Sequence, residues 1–161
     1  MRKPGFLNKL CNEGKLKLVE PSREISDAYF QKSAKSLVSA KALLKIGNLE
    51  DSVALAYYSM YHSVVALLFR IGVKCENHTA AIILLNKVFR IDSRRISEAK
   101  AERVDKQYYV DFAITEEETK EAIVSAEDFT AEMKDFTEKI NSEKIKNYRD
   151  IAGKLFKSSL P

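Results

Sequence analysis

The stretch LAYYSMYH, Leu55–His62, places three tyrosines, a methionine and a histidine inside an uncharged run from Val53 to Phe69. A helix needs about 20 consecutive apolar residues to cross a bilayer, and this run falls just short of that length. It also contains two serines and the histidine. We therefore predict that the run is a helix buried in the core of the protein, and we predict no membrane association.

The whole chain has 161 residues, enough for one domain with a hydrophobic core. Cys11 and Cys75 are far apart in sequence, which suits reduced thiols better than a disulfide framework or a metal site. No glycine-rich phosphate loop or serine-histidine-acid arrangement is present, so we predict neither a metal nor a cofactor. The N-terminal MRKPGFLNKLCNEG lacks the apolar segment of a secretory signal, so we expect a cytoplasmic protein.

Glycine and proline, which interrupt helices, are rare in the chain, with five and three residues. This predicts an almost wholly helical protein. Ser22, Asn48 and Thr115 stand at helix starts, and Gly47 and Gly72 follow helix ends. The segment KQYYVDFAI, residues 106–114, has strand-like composition, but a lone strand forms no sheet, and we expect an extended connector. The predicted helices are 22–46, 48–71, 77–90, 93–102 and 115–140.

These helices predict an all-α fold, a four-helix up-and-down bundle with short flanking helical extensions. Residues 1–20 form the N-terminal extension, 21–140 the bundle, and 141–161 a basic amphipathic C-terminal extension. For the segment KIKNYRDIAGKLF within that last part, we favour a helix docked on the bundle with solvated lysines over a surface for RNA or a partner. The formal net charge of +4 permits contact with nucleic acid without requiring it.

The run EDSVALAYYSMYHSVVALLF, followed by a glycine turn and ENHTAAIILL, resembles the HEPN domain superfamily. It is most similar to a branch of small prokaryotic proteins whose second helix reads like Arg-Ala-Tyr-Tyr-Ala-Met-Phe-His. The later segment ERVDKQYYV resembles the Arg-x-x-Ala-Asp-Tyr segment of that branch, with Arg103 and Tyr108 matching and Gln107 in place of the usual aspartate. The resemblance covers residues 22–140.

The resemblance implies a metal-independent ribonuclease fold, used by many toxins that pair with a nucleotidyltransferase antitoxin. Active members have an arginine and a histidine with four to six residues between them. The imidazole takes the proton of a ribose 2'-hydroxyl, and the guanidinium binds the phosphate. Here His62 is present, but Leu55 stands at the position of the arginine. Arg70 and Arg103 are the candidates for phosphate contacts, although Arg70 lies about 80° around the helix from His62.

Residues on the side of the helix that bears His62 are mostly small, and we predict that they let another helix approach closely. Leu55 and His62 lie about 10 Å apart along the helix axis. Because the helix is apolar on more sides than one bundle can cover, we predict a homodimer through it. The predicted interface or cleft residues are Leu55, Ser59, His62, Ser63 and Ala66.

Two functions follow from these residues. In the first, the protein is a HEPN-like dimerisation and binding module with an eroded ribonuclease motif, possible partners being a nucleotidyltransferase, RNA or a nucleotide. In the second, it is a metal-independent ribonuclease toxin in which His62 acts with an arginine supplied from elsewhere, such as Arg70 or Arg103 of the other protomer. We favour the first function, and we expect His78 to lie in the N-terminal cap region of the third helix.

Overall fold

A computed structural model of the chain describes residues 5–108 and 113–158. This part of the chain contains seven helices and one two-stranded antiparallel sheet, so the predicted all-α fold is confirmed. The elements are α1 (Phe6–Asn12), β1 (Leu16–Leu18), α2 (Arg23–Lys45), α3 (Leu49–Ile71), β2 (Val73–Cys75), α4 (His78–Phe89), α5 (Arg94–Tyr108), α6 (Glu116–Glu138) and α7 (Ser142–Lys157).

The predicted starts of α2 and α6 are confirmed by their capping hydrogen bonds. The Ser22 hydroxyl accepts from the backbone N–H of Ile25 at 3.1 Å, and the Thr115 hydroxyl accepts from that of Glu118 at 3.1 Å. Each bond satisfies one of the amide groups that a helix leaves unpaired in its first turn. Asn48 differs, because its side-chain amide donates to the Asp51 carboxylate at 2.9 Å instead of accepting from the helix.

Helix α3 lies at the centre of the molecule, packed against α2, α5 and α6 and touching α4 and α7. It is long and apolar enough to cross a membrane by length and composition. However, 72% of its most apolar stretch is buried inside the fold. The predicted burial of the stretch from Val53 to Phe69 is confirmed, and its hydrophobic surface is used by the core of this chain.

Helix α7 and the short sheet close one end of α3. Strand β1 pairs with β2, with Leu16 opposite Cys75 and Leu18 opposite Val73. The Arg149 guanidinium of α7 donates through Nη1 to the carbonyl oxygens of Val19, Ile71 and Gly72 at 2.6, 3.0 and 3.1 Å. The basic C-terminal helix is therefore docked on the rest of the fold, as we expected, with Ala152 and Phe156 buried and its lysines exposed.

The prediction for residues 93–114 was wrong in part. Helix α5 does not end near Glu102 but continues to Tyr108, so residues 106–108 are helical rather than extended. Arg103, Lys106 and Gln107 have high helix propensity, and this outweighs the strand preference of Val104 and Tyr108. Residues 109–112 of the predicted connector lie outside the described residues.

Candidate functional site

Between Val53 and Leu68, four side chains of α3 are half-buried while the others are buried: Leu55, Tyr58, Tyr61 and His62, here called the α3 strip. They recur every three or four residues because the other sides of α3 are covered by neighbouring helices. Most residues on those other sides are fully buried. The α3 strip is thus the part of the predicted motif that a ligand or partner can reach.

The small residues predicted at an interface between chains are buried inside the single chain. Ser59, Ser63 and Ala66 are each 0% exposed inside the single chain. The Ser33 hydroxyl of α2 donates to the Ser59 carbonyl at 2.7 Å, so α2 makes the close approach that these small residues allow. This placement corrects the predicted interface, since only Leu55 and His62 of the five proposed residues retain accessible surface.

His62 lines a groove of about 260 Å³ between α2, α3 and β2. Its ring lies among the rings of Tyr29, Tyr58 and Tyr61, with centroids 6.1, 6.1 and 5.9 Å away. The Nδ1 atom is buried and has no hydrogen-bond partner in the part of the chain that the structure describes. Burial, with the nearby ammonium of Lys32 and the ring of His78 as smaller causes, lowers the pKa of His62 from 6.5 to about 4.

His78 is the first residue of α4, directly after the N-cap Asn77, as we predicted. Its Nδ1 lies 2.7 Å from the hydroxyl of Tyr57, and its ring stacks on Tyr61 with centroids 3.7 Å apart. Burial lowers the pKa of His78, and the positive charges of Arg103 and Lys100 lower it further. His78 is therefore an uncharged imidazole at neutral pH.

Arg103 of α5 reaches the α3 strip of its own chain. Its Nη1 donates to the hydroxyl of Tyr58 at 3.0 Å, and its guanidinium carbon lies 5.2 Å from the ring centre of Tyr57 and 5.3 Å from that of Tyr58. Cation–π contacts of this kind hold a guanidinium over aromatic rings. Its Nε is buried and has no hydrogen-bond partner among the described residues. The structure thus brings one of the two predicted arginines to the site.

Arg70 is used differently. Its Nη2 donates to the backbone carbonyl of Ile140 at 3.0 Å, after the end of α6. Within the part of the chain that the structure describes, no contact joins Arg70 to the α3 strip. Its place on another side of α3 agrees with the rotation of about 80° expected from the helical repeat. Leu55 packs against the hydrophobic core at the position of the missing arginine.

Sequence reasoning missed two features of this site. Lys32 of α2 lines the His62 groove, with its ammonium 5.6 Å from the ring centre of Tyr29. The bond between Tyr57 and His78 links α3 to the start of α4. The Lys32 contact and the Tyr57–His78 bond both join helices that are distant in sequence. The only sequence signal for the Tyr57–His78 bond was a second histidine close to a helix start. In the described residues, no cluster of histidine, cysteine and carboxylate side chains could hold a metal ion.

Comparison with known proteins identifies the family. A model of the HEPN domain matches residues 26–157, a range that includes α7 as well as the bundle. The UPF0332 protein PH1297 of Pyrococcus horikoshii is 46% identical over 46 residues, which is 29% of this chain and 32% of that relative. The match thus spans about a third of the length of that relative. Because the family model covers most of the chain, the protein belongs to the HEPN domain family.

Proposed function

We propose that this HEPN domain is a non-catalytic binding module that forms a homodimer through its α3 strip. The observation that supports it most is the state of His62. A general base works best when its pKa lies near the operating pH, and the pKa of this imidazole is about 4. Among the described residues, its buried Nδ1 also lacks the partner that orients a catalytic imidazole. Leu55, seven residues earlier on α3, supplies no cation at the position of the family arginine.

The α3 strip supports the binding role by its composition. Leu55, Tyr58 and Tyr61 are half-buried. All three contribute apolar area, and the two tyrosines add phenol hydroxyls. Aromatic side chains of this kind are enriched at protein interfaces because they bury a large area at little conformational cost. The fully buried small residues of α3 take no part in this surface.

The second partner we propose is a nucleotidyltransferase. This part rests on the resemblance of LAYYSMYH to toxins that pair with such enzymes. Co-expression with the product of an adjacent nucleotidyltransferase reading frame should give a complex that survives gel filtration. Two separate peaks at micromolar concentrations of both proteins would contradict this pairing.

The alternative function, a metal-independent ribonuclease, is favoured by one observation. Lys32 lines the same groove as His62, so α2 supplies a cation near the imidazole although α3 has leucine at the position of the family arginine. In that function, Lys32 would bind the phosphate that the family arginine binds. The pKa of His62 weighs against it, because a base of that strength accepts a proton poorly at neutral pH.

Light scattering tests the dimer. The wild-type protein should be a dimer at micromolar concentration, and Leu55→Glu should convert it to a folded monomer, because a charge in the contact would lose its hydration. Val124→Glu is the matched control, since Val124 is 56% exposed on α6, away from the strip. It should leave the dimer intact. A wild-type monomer, or the same response in both variants, would contradict the proposal.

A further inference from the structure

His78, Lys100 and Arg103 bring hydrogen-bond donors together at the start of α4, apart from the His62 groove. The Lys100 ammonium donates to the Thr79 hydroxyl at 3.0 Å, one residue after His78. The Arg103 guanidinium lies over the ring of Tyr57, whose hydroxyl is 2.7 Å from the His78 ring. Tyr57 and the first turn of α4 thus hold all three side chains in one place, here called the His78 corner.

Tyr57 fixes which nitrogen of His78 bears the hydrogen. Burial raises the pKa of Tyr57, so its phenol stays protonated at neutral pH. A phenol is a stronger donor than a neutral imidazole N–H, and an unprotonated ring nitrogen is a strong acceptor. We therefore expect Tyr57 to donate to Nδ1, which lies 2.7 Å from its hydroxyl, and Nε2 of His78 to bear the hydrogen. The His78 ring is half-buried, and within the described residues Nε2 makes no hydrogen bond.

The donors of the corner are only partly used by the protein. Arg103 has five N–H groups, and in the described residues its one hydrogen bond goes from Nη1 to Tyr58. Within the described residues, Lys100 makes one hydrogen bond, to Thr79. No carboxylate of the described residues forms an ion pair with either side chain. The first turn of α4 also contains no acidic residue, so its amide dipoles add to the positive potential.

We infer that His78, Lys100 and Arg103 form a binding site for a phosphate monoester dianion. Two fixed positive charges match its two negative charges, and the uncharged Nε2–H of His78 supplies a third donor. A guanidinium and an ammonium each form strong, charge-assisted hydrogen bonds to phosphate oxygens. The acceptors that the corner contacts in the described residues are the hydroxyls of Tyr57, Tyr58 and Thr79, and the donors left over favour a ligand that accepts on every oxygen. The site adjoins the α3 strip, because Arg103 donates to Tyr58 and the His78 ring stacks on Tyr61, and it requires no chemistry at His62.

Nuclear magnetic resonance on the full-length, nitrogen-15-labelled protein tests the site, with methyl phosphate as the probe. Without ligand, the imidazole spectra should show Nε2 of His78 as the protonated nitrogen. Methyl phosphate should then shift the His78 signals with saturation, while dimethyl phosphate, a singly charged diester, should bind more weakly. Lys100→Met should weaken methyl phosphate binding about three- to tenfold, the loss of one partly exposed charge-assisted hydrogen bond.

Lys134→Met is the matched control, because Lys134 is exposed on α6, away from the corner. It should leave the affinity unchanged. Lys100 is only half-buried, so its variant should fold, and the dispersion of the amide spectrum checks this directly. The inference is overturned if the wild-type protein shows no saturable shift, if both variants bind methyl phosphate equally, or if dimethyl phosphate binds as tightly as methyl phosphate.

Discussion

At the scale of single residues, the environment of His62 determines what this imidazole can do. The rings of Tyr29, Tyr58 and Tyr61 surround it, and the Lys32 ammonium disfavours a second positive charge nearby. Both effects oppose protonation, so the side chain is uncharged at neutral pH. An imidazole in this state suits packing at a contact surface better than proton transfer.

The low pKa of His62 makes a specific contribution to the pH dependence of stability. In the unfolded chain this imidazole titrates near 6.5, whereas in the folded protein it titrates near 4. The unfolded state therefore binds the proton first, and the free energy of unfolding falls as the pH drops from about 6.5 to about 4. The wild-type protein should lose roughly 2–3 kcal/mol more over this window than His62→Gln does.

Urea unfolding at a series of pH values measures this difference. The two proteins share every other side chain, so the difference between them reports on His62. If the two proteins lose stability in parallel between pH 6.5 and pH 4, the imidazole is not desolvated as described.

His62 and Leu55 could be singled out from the sequence as the positions on which the predicted activity depends, because both lie within one helix. It could not predict the pKa of His62, since Tyr29 and Lys32 belong to α2. Nor could it show that Arg103 meets the α3 strip within the same chain, because this contact crosses 45 residues of sequence. Side-chain neighbours from distant helices are set by packing, which single-sequence patterns do not encode.

At the scale of elements, the end of α3 depends on a glycine with no room for a side chain. Gly72 has φ +80°, and a Cβ added there would lie 2.3 Å from the Val19 carbonyl oxygen and 2.2 Å from Nη1 of Arg149. Gly47, after α2, has nearly the same conformation, with φ +79°, but nothing lies within 4 Å of the position of its Cβ. Alanine substitutions at the two glycines therefore separate the cost of the left-handed backbone conformation from the cost of steric crowding around the added Cβ.

We expect Gly47→Ala to lower the free energy of unfolding by about 1 kcal/mol, the cost of the left-handed conformation alone. Gly72→Ala should lower it by roughly 2–4 kcal/mol, because the backbone of the β1 segment must also move. Chemical denaturation of both variants measures the two costs. Equal losses would mean that the contact between α3, β1 and α7 is looser than described.

Arg149 attaches α7 to the end of α3 through hydrogen bonds. Its Nη1 serves three carbonyl groups, so Arg149→Met should destabilise the fold by about 1–3 kcal/mol. Lys146→Met is the control on the exposed face of α7 and should change stability by less than about 0.5 kcal/mol. Thermal unfolding of the pair gives the comparison. An unchanged melting temperature for Arg149→Met would contradict a structural role for α7.

Helix positions were predictable where caps and glycines mark them, as at Ser22, Gly72 and Thr115. The errors have local causes. Strands β1 and β2 have three residues each, too few to show an alternating pattern, and they are held by pairing with each other. The predicted end of α5 was too early, because the aromatic residues near its end suggested an extended chain. The residues before them have high helix propensity, and the helix continues.

At the scale of the whole molecule, the other helices of the same chain bury more of α3 than the apolar composition of α3 suggested. The predicted dimer rested on apolar surface left over after the bundle is formed, yet none of the large exposed hydrophobic side chains in the described residues lies on α3. What remains for a partner is the half-buried α3 strip. Family membership accounts for the fold, and the state of the site within it decides between binding and catalysis.

The central claim, that this HEPN domain binds without cleaving, is tested most directly by incubating purified wild-type protein and His62→Ala with RNA in the presence of a chelator. The account predicts no cleavage above background by either protein, with any effect of the substitution confined to stability or dimerisation. If the wild-type protein cleaves RNA to 2',3'-cyclic phosphate ends, and a folded, dimeric His62→Ala protein does not, the claim is contradicted.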